Sequence, residues 1–174
     1  MKKLTTNKKG FTLVELLVVI AIIGLLSTIA IVALNSAREK ARDAKRVADV
    51  KQIQTALELL FNDTQAYPAE AVDGTPDPLG ISGSTDTLSE TNGFADTAAG
   101  EVYMGSVPRD PSETGAASAC TGASTATCDY AYEQLTATTY NIEAYLEGTV
   151  GNLGASSGSL ICATQDGIAN GACP

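Results

Sequence analysis

The sequence predicts an α+β fold, with one long N-terminal α-helix, transmembrane in its first half and amphipathic in its second, packed on a small antiparallel β-sheet head. Three observations carry this expectation. Leu16 to Leu34 is an apolar run that holds no charge. Further on, Val47, Val50, Ile53, Leu57, Leu60 and Phe61 recur at intervals of three and four, the spacing of one helical face. In the distal half Tyr130 and Tyr132 alternate, as do Tyr140, Ile142 and Ala144, which is the period of a half-buried strand.

Composition narrows the function classes. The chain has 174 residues and a formal net charge of −9. That length suits one domain plus an extra segment, and that charge argues against a nucleic-acid site on the folded part. There is no His, so the commonest general base and the commonest zinc ligand are both absent. No Gly-x-Ser-x-Gly, phosphate loop or framed carboxylate pair occurs. The chain therefore reads as a non-enzyme, with no catalytic residue and no cofactor.

Taken in order, Met1 to Gly10 is short and basic, with Lys2, Lys3, Lys8 and Lys9. A secretory signal peptide carries its apolar region before the cleavage site, whereas here that region follows Gly10. The competing reading is an uncleaved anchor. The next segment, Leu16 to Leu34, is close to the roughly 20 residues a helix needs to cross a bilayer core. It is apolar on every face, as a membrane span or a fully buried helix would be, and Ser27 and Thr28 alone interrupt it. Glu15 stands at its start. A carboxylate within a bilayer costs about 2.5–3.5 kcal/mol on insertion scales and is a functional hypothesis by default; the alternative is that Glu15 lies near enough to the interface to stay wet.

Lys9-Gly10-Phe11-Thr12-Leu13-Val14-Glu15-Leu16 resembles the prepilin signature of type IV pilins and of the pseudopilins of type II secretion. The resemblance is strong from Lys8 to about Pro68 and weak beyond. It implies the type IV pilin fold, and cleavage between Gly10 and Phe11 by a membrane-embedded prepilin peptidase. It also implies methylation of the new Phe11 amine and an attraction between Glu15 and the Phe11 amine of a neighbouring subunit. The partners so implied are further copies of the chain, polymerised through the N-terminal helix, and an inner-membrane assembly platform. The membrane holds the subunit before assembly. Gly24 has two readings, close helix packing or, by resemblance, local melting of the helix in the filament. Type IV pilins often carry Pro eight residues after that Gly, but Val32 stands there in this chain, so the usual breaker is missing.

The expected divisions are thus a leader at 1–10, a transmembrane and filament-core helix at 11–34, an amphipathic extension at 35–63 and a globular head at 64–174. Asn35 to Asp63 holds no Gly or Pro, and a helix from about Thr12 to Asp63 would measure roughly 80 Å. Asn62-Asp63-Thr64 ends it before Tyr67-Pro68, because the residue before Pro avoids helix. Ala69 to Gly100 is rich in turn residues and reads as an irregular surface loop, with one or two short helices around Leu79 and Phe94. Met104 to Pro111 contains Pro108-Arg109-Asp110-Pro111, similar to a stretch of the major pseudopilins, and its prolines predict a rigid turn. Tyr130–Glu133, Thr139–Leu146 and Ser159–Ala163 are the expected strands, followed by a turn-rich tail.

Cys120, Cys128, Cys162 and Cys173 form an even set beyond a membrane anchor, which points to an oxidising compartment and two disulfides. Short loops close easily, so the expected pairs are Cys120–Cys128 and Cys162–Cys173; free thiols and a zinc site are the alternatives. Asp166-Gly167 followed by Gly171 resembles the calcium loop of some major pseudopilins. Calcium takes six or more oxygens, and one carboxylate, Asp166, makes this a weak candidate.

Beyond Lys51 the sole basic residue is Arg109, while the stretch before it carries Arg38, Lys40, Arg42, Lys45 and Arg46. A basic collar and an acidic head are ordinarily just solvated; alternatively, one subunit's collar faces the next subunit's head. Charge alone does not orient the span, since both flanks are basic. The resemblance and the cysteines place the leader in the cytoplasm and the head outside. The leading expectation is a structural subunit of a type IV pilus-like extracellular filament. A major pseudopilin of a type II secretion system, whose filament is periplasmic, is the alternative, and a single-pass anchored binding protein stands behind both.

Overall fold

The computed structural model describes residues 10–69, 75–112, 118–120, 128–154 and 158–173. Helix α1 runs Leu13–Thr64 without interruption. The strands are β1 Asp77–Pro78, β2 Thr87–Ser89, β3 Gly93–Ala95, β4 Val102–Met104, β5 Ala131–Thr136, β6 Thr139–Leu146, β7 Thr149–Val150, β8 Leu153–Gly154, β9 Ser159–Thr164 and β10 Gly167–Asn170. The chain divides into two compact units, Met1–Arg38 and Glu39–Pro174.

In the second unit an antiparallel five-stranded sheet has the order β1-β5-β6-β9-β10, beside a three-stranded sheet β3-β2-β4 and the small β7-β8 hairpin. From α1, Val50, Ile53 and Leu57 are fully buried, and Val47 and Leu60 nearly so. They meet Tyr130, just before β5, and Tyr132, Tyr140, Ile142, Leu146 and Ile161 of the five-stranded sheet in one apolar cluster. Burying each aliphatic side chain of this kind stabilises by about 1.5–3 kcal/mol. Phe61, the last member of the stripe, is half-buried and stacks on Tyr67 at 4.7 Å. The helix ends where Gln65 turns to a positive φ of 58°. Its side-chain amide donates to the carbonyls of Phe61 and Asn62, so orphan carbonyls of the last turn are satisfied.

Two segments differ from the sequence expectation. The segment around Leu79 and Phe94 is extended: β1 lies on the large sheet, and β2, β3 and β4 make the small one. Each run is two or three residues long, too short for a helix, and both Leu79 and Phe94 are buried anchors. Gly93 has a positive φ of 60°, and a Cβ there would come within 2.6 Å of the Pro68 side chain, so this turn closes against the end of the helix only with glycine. The tail after Thr164 is likewise a strand. Gln165-Asp166 forms a two-residue turn and β10 pairs with β9, Gly167 opposite Thr164. Asp-Gly at a hairpin is a strong turn signal; Ile168 and Ala169 gave too little alternation to reveal the strand behind it.

The largest departure concerns charge. Asp43 and Arg46 are completely buried and Asp49 nearly so. Arg46 donates through Nε to Asp110 at 2.6 Å, and through Nη1 to Asp43 at 2.7 Å and Glu147 at 2.8 Å. Its Nη2 donates to Asp110 at 3.1 Å and also reaches Ser112. Asp43 in turn accepts the backbone N–H groups of Glu147 and Gly148 at 2.9 and 2.8 Å. Arg42 adds a two-point bond to Glu147, while Asp49 accepts from the Tyr130 hydroxyl at 3.0 Å. This network fastens α1 to the β6–β7 turn and to the Pro108–Pro111 stretch. In that stretch Arg109 forms a two-point bond with the buried Asp129, at 2.8 and 3.0 Å. Two residues of the basic collar are therefore consumed within the chain.

The Arg42 hydrogen bond, with Arg46 beside it, holds the Glu147 carboxyl down to about 2. Its contribution is present above the ordinary carboxylate value and disappears as pH falls through about 2. Removing one partner of a buried ion pair leaves uncompensated charge, so Arg46→Ala should lose about 3–5 kcal/mol. Denaturant unfolding of the full chain in detergent, followed by tyrosine signal, measures this. The wild type should also soften on acidification toward pH 2, and Arg46→Ala by a smaller step; a variant as stable as wild type would contradict the clasp.

Candidate functional site

The first unit begins with a helix start built from two residues. Thr12 is the N-cap of α1. Its backbone N–H and its hydroxyl both donate to Glu15 Oε2, at 2.8 and 2.7 Å. The Glu15 N–H donates back to Thr12 Oγ1 at 3.2 Å. This is a reciprocal capping box, and it places a negative charge at the positive end of the helix dipole. Thr12-Leu13-Val14-Glu15 is the Thr-x-x-Glu pattern of such a box, a signal legible in the sequence but overshadowed there by the question of membrane burial. Both Thr12 donors converge on one oxygen. A carboxylate has about four lone-pair positions, so Oε1 retains capacity for a further cation or donor.

Phe11 is 87% exposed, next to this cap. Phe11 precedes the N-cap and lies outside the helix, while Glu15 is in its first turn. From Leu13 to Leu34 the large apolar side chains stand between 48% and 80% exposed. α1 is long and apolar enough to cross a membrane, and its most apolar window is not buried at all. Ser27 and Thr28 return their hydroxyls to the carbonyls of Ile23 and Leu25, at 2.7 and 2.8 Å, so neither brings an unsatisfied hydroxyl into an apolar surrounding. A Cβ added at Gly24 would meet nothing within 4 Å. If Gly24 serves close packing, the neighbour is another molecule. The helix is continuous past Gly24 and Val32.

The remaining candidates lie in the second unit. Cys120 is bonded to Cys128 and Cys162 to Cys173. The first pair joins Ala131 and Leu160 in a second buried cluster on the far face of the large sheet. The second ties down the tail, where the Cys173 N–H donates to Glu143 at 2.6 Å. Asp166 is exposed at the β9–β10 turn. Among the described residues no three His, Cys, Asp or Glu are grouped to hold a metal ion. Gly10 is exposed at the edge of the described chain, and the rest of the leader, Met1 to Lys9, lies outside the described residues.

Comparison with known proteins bears on the same end of the chain. Residues 5–31 match the family model described as the prokaryotic N-terminal methylation motif. The chain is 39% identical over 64 residues to a type II secretion system core protein G of Escherichia coli K12, covering 37% of this chain and 44% of that protein. It is 37% identical over 68 residues to the protein of the same name in Vibrio cholerae, covering 39% of this chain and 46% of the relative. A fimbrial protein of Dichelobacter nodosus is 36% identical over 103 residues, 54% of this chain and 61% of that one. The chain thus spans less than half the length of the two secretion-system relatives and under two thirds of the fimbrial one. No solved structure matches.

The capping box can be tested by itself. Thr12→Val removes the hydroxyl that both gives and takes a bond, and loss of an N-cap costs about 0.5–2 kcal/mol. Hydrogen exchange at the Glu15 amide of the full chain in micelles should quicken by about twofold to thirtyfold. Unchanged exchange would show that the cap carries no weight.

Proposed function

We propose, from the premise that the chain belongs through its N-terminal segment to the type IV pilin and pseudopilin family, that it is the structural subunit of a type IV pilus-like filament. The chain is cut between Gly10 and Phe11 by a prepilin peptidase and methylated on the new Phe11 amine. The first half of α1 holds it in the cytoplasmic membrane, with the head on the extracytoplasmic side. An inner-membrane assembly platform then gathers the subunits, and α1 of each copy packs among those of its neighbours. The reading rests above all on one observation: the methylation motif, matched over residues 5–31, leads directly into a helix whose apolar faces have no cover among the described residues.

Glu15 is the assembly residue in this reading. A unit positive charge about 4 Å away attracts a carboxylate by about 4 kcal/mol at an effective dielectric near 20. A neighbour's Phe11 amine, approaching the free capacity on Oε1, would offset the cost of enclosing Glu15 among apolar helices. The disulfides support an oxidising location for the head. Calcium at Asp166 would need further oxygen ligands beside that one exposed carboxylate.

A second reading, the major pseudopilin of a type II secretion system, is favoured by the name of the Escherichia coli and Vibrio cholerae relatives and by the Pro108-Arg109-Asp110-Pro111 stretch. Loss of exported proteins from the medium on deletion of the gene, with surface filaments intact, would select it.

Glu15→Ala discriminates assembly from anchoring. The variant should insert into the membrane as the wild type does, because its span is intact, while the yield of filaments collapses. Fractionation and filament shearing read the two quantities separately. Normal filaments from Glu15→Ala would remove the assembly role.

A further inference from the structure

Lys51, Gln54, Thr55 and Glu58 follow one another at intervals of three and four, so they share one side of α1. Across from them the β9–β10 turn brings Asp166 to the same place. Between helix and turn lies an open cleft of about 370 Å³, within the size of small-molecule sites, about 300–1,000 Å³. Such sites are mostly apolar. This one is lined by charges, amides and hydroxyls, so the occupant it suits is itself rich in polar groups.

The floor of the cleft carries the most telling group. Tyr140, the second residue of β6, is 1% exposed, and its hydroxyl has no hydrogen-bond partner. A buried hydroxyl in that condition is costly and rare. Its neighbours are engaged elsewhere. Gln54 gives its amide hydrogen to the Thr164 carbonyl at 2.7 Å, and Glu58 takes the Tyr67 hydroxyl on Oε1 at 2.8 Å. Burial above all, then Glu58 and Tyr67, push the Tyr140 phenol above its ordinary value, and Gln54 beside it only partly offsets this. Tyr140 therefore keeps its proton and lines the cleft as a donor. Glu58 retains acceptor capacity, since a carboxylate has about four lone-pair positions.

This set selects among ligand classes. The Tyr140 proton calls for an acceptor, while Glu58 close by calls for a donor. A bare anion would meet Glu58 and Asp166, and a bare cation would meet Lys51 and a protonated phenol. A neutral hydroxyl both accepts and donates, and so answers Tyr140 and Glu58 together. The rim repeats the combination, with Lys51 as donor and Asp166 as acceptor, both exposed. We propose that the cleft binds a sugar ring, with one hydroxyl seated between Tyr140 and Glu58 and another between Lys51 and Asp166. The inference goes beyond the filament reading and does not depend on it.

The test is a titration of the full chain in dodecylphosphocholine micelles, whose headgroup carries no sugar, followed by the amide NMR signals of Gln165 to Gly167. The probes are methyl α-glucoside, methyl β-galactoside and diacetylchitobiose, with calcium chloride as the cation control. A ring held by a few hydrogen bonds should bind with a dissociation constant on the order of 1 mM, so at least one glycoside should shift these signals saturably. Response to diacetylchitobiose alone assigns an amino-sugar ligand, and response to the hexosides alone assigns a hexose. Tyr140→Phe keeps the ring and removes the hydroxyl. It should weaken binding by about threefold to tenfold and leave the unliganded chain at least as heat-stable as the wild type, because an unpartnered hydroxyl is lost. Glu58→Gln, which still accepts from Tyr67, should weaken binding by about tenfold or more. If circular dichroism shows that Glu58→Gln is unfolded, Asp166→Asn at the exposed turn takes its place, with an expected loss of about threefold or more. No saturable response to any of the three glycosides would overturn the proposal, as would shifts with calcium chloride alone or wild-type affinity in Tyr140→Phe. So would a Tyr140→Phe variant that is less stable without ligand, since ordered water would then already satisfy the hydroxyl.

Discussion

The constraint on which everything else rests is that half of α1 is apolar on all faces and that none of the described residues covers it. Leu13 to Leu34 carries side chains that lie about half or more exposed, and a bare surface of that extent in water would be strongly unfavourable. A soluble domain avoids the cost by folding other elements over such a helix. This chain does so for the part from Val47 onward and leaves the first part bare. The missing cover must come from lipid, from other molecules, or from each in turn. The capping box at Thr12 and Glu15 fits both surroundings, because it satisfies the amides of Thr12 and Glu15 and leaves one carboxylate oxygen with capacity to receive a cation.

The second unit solves a different problem, that of holding a single helix firmly against thin sheets. Apolar burial supplies most of the favourable free energy but is non-directional. The Arg46 network adds direction. One guanidinium is bonded to Asp43 on its own helix, to Asp110 and Ser112 beside the Pro-rich turn, and to Glu147 after β6. A buried ion pair is weak evidence for net stability, yet this one fixes the azimuth of α1 against the sheet. It thereby decides which residues of α1 face outward.

Much of this was legible in the residues. The apolar first half of the helix, the amphipathic stripe, the end of the helix near Thr64 and strands β6 and β9 all follow from periodicity and from the position of Pro68. The small sheet was not, because Thr87–Ser89, Gly93–Ala95 and Val102–Met104 are each too short to show a period, and their turn-rich surroundings look like loop. The buried charges were hidden for a deeper reason. Arg46 and Asp43 lie on the core side of α1 among valines, but a charged residue within a run of charges reads as solvent-facing until its partners are known. Those partners, Asp110 and Glu147, are far away in sequence. At the site itself, the Thr12–Glu15 box could have been read from its spacing alone.

The most direct measurement of the central claim is the mass of the N-terminal fragment in protein sheared from the native cell surface. A helix made to leave lipid and bundle with its copies should begin at Phe11, with a methyl group on the amine. A chain still beginning at Met1, recovered from the membrane as a monomer, would contradict the account.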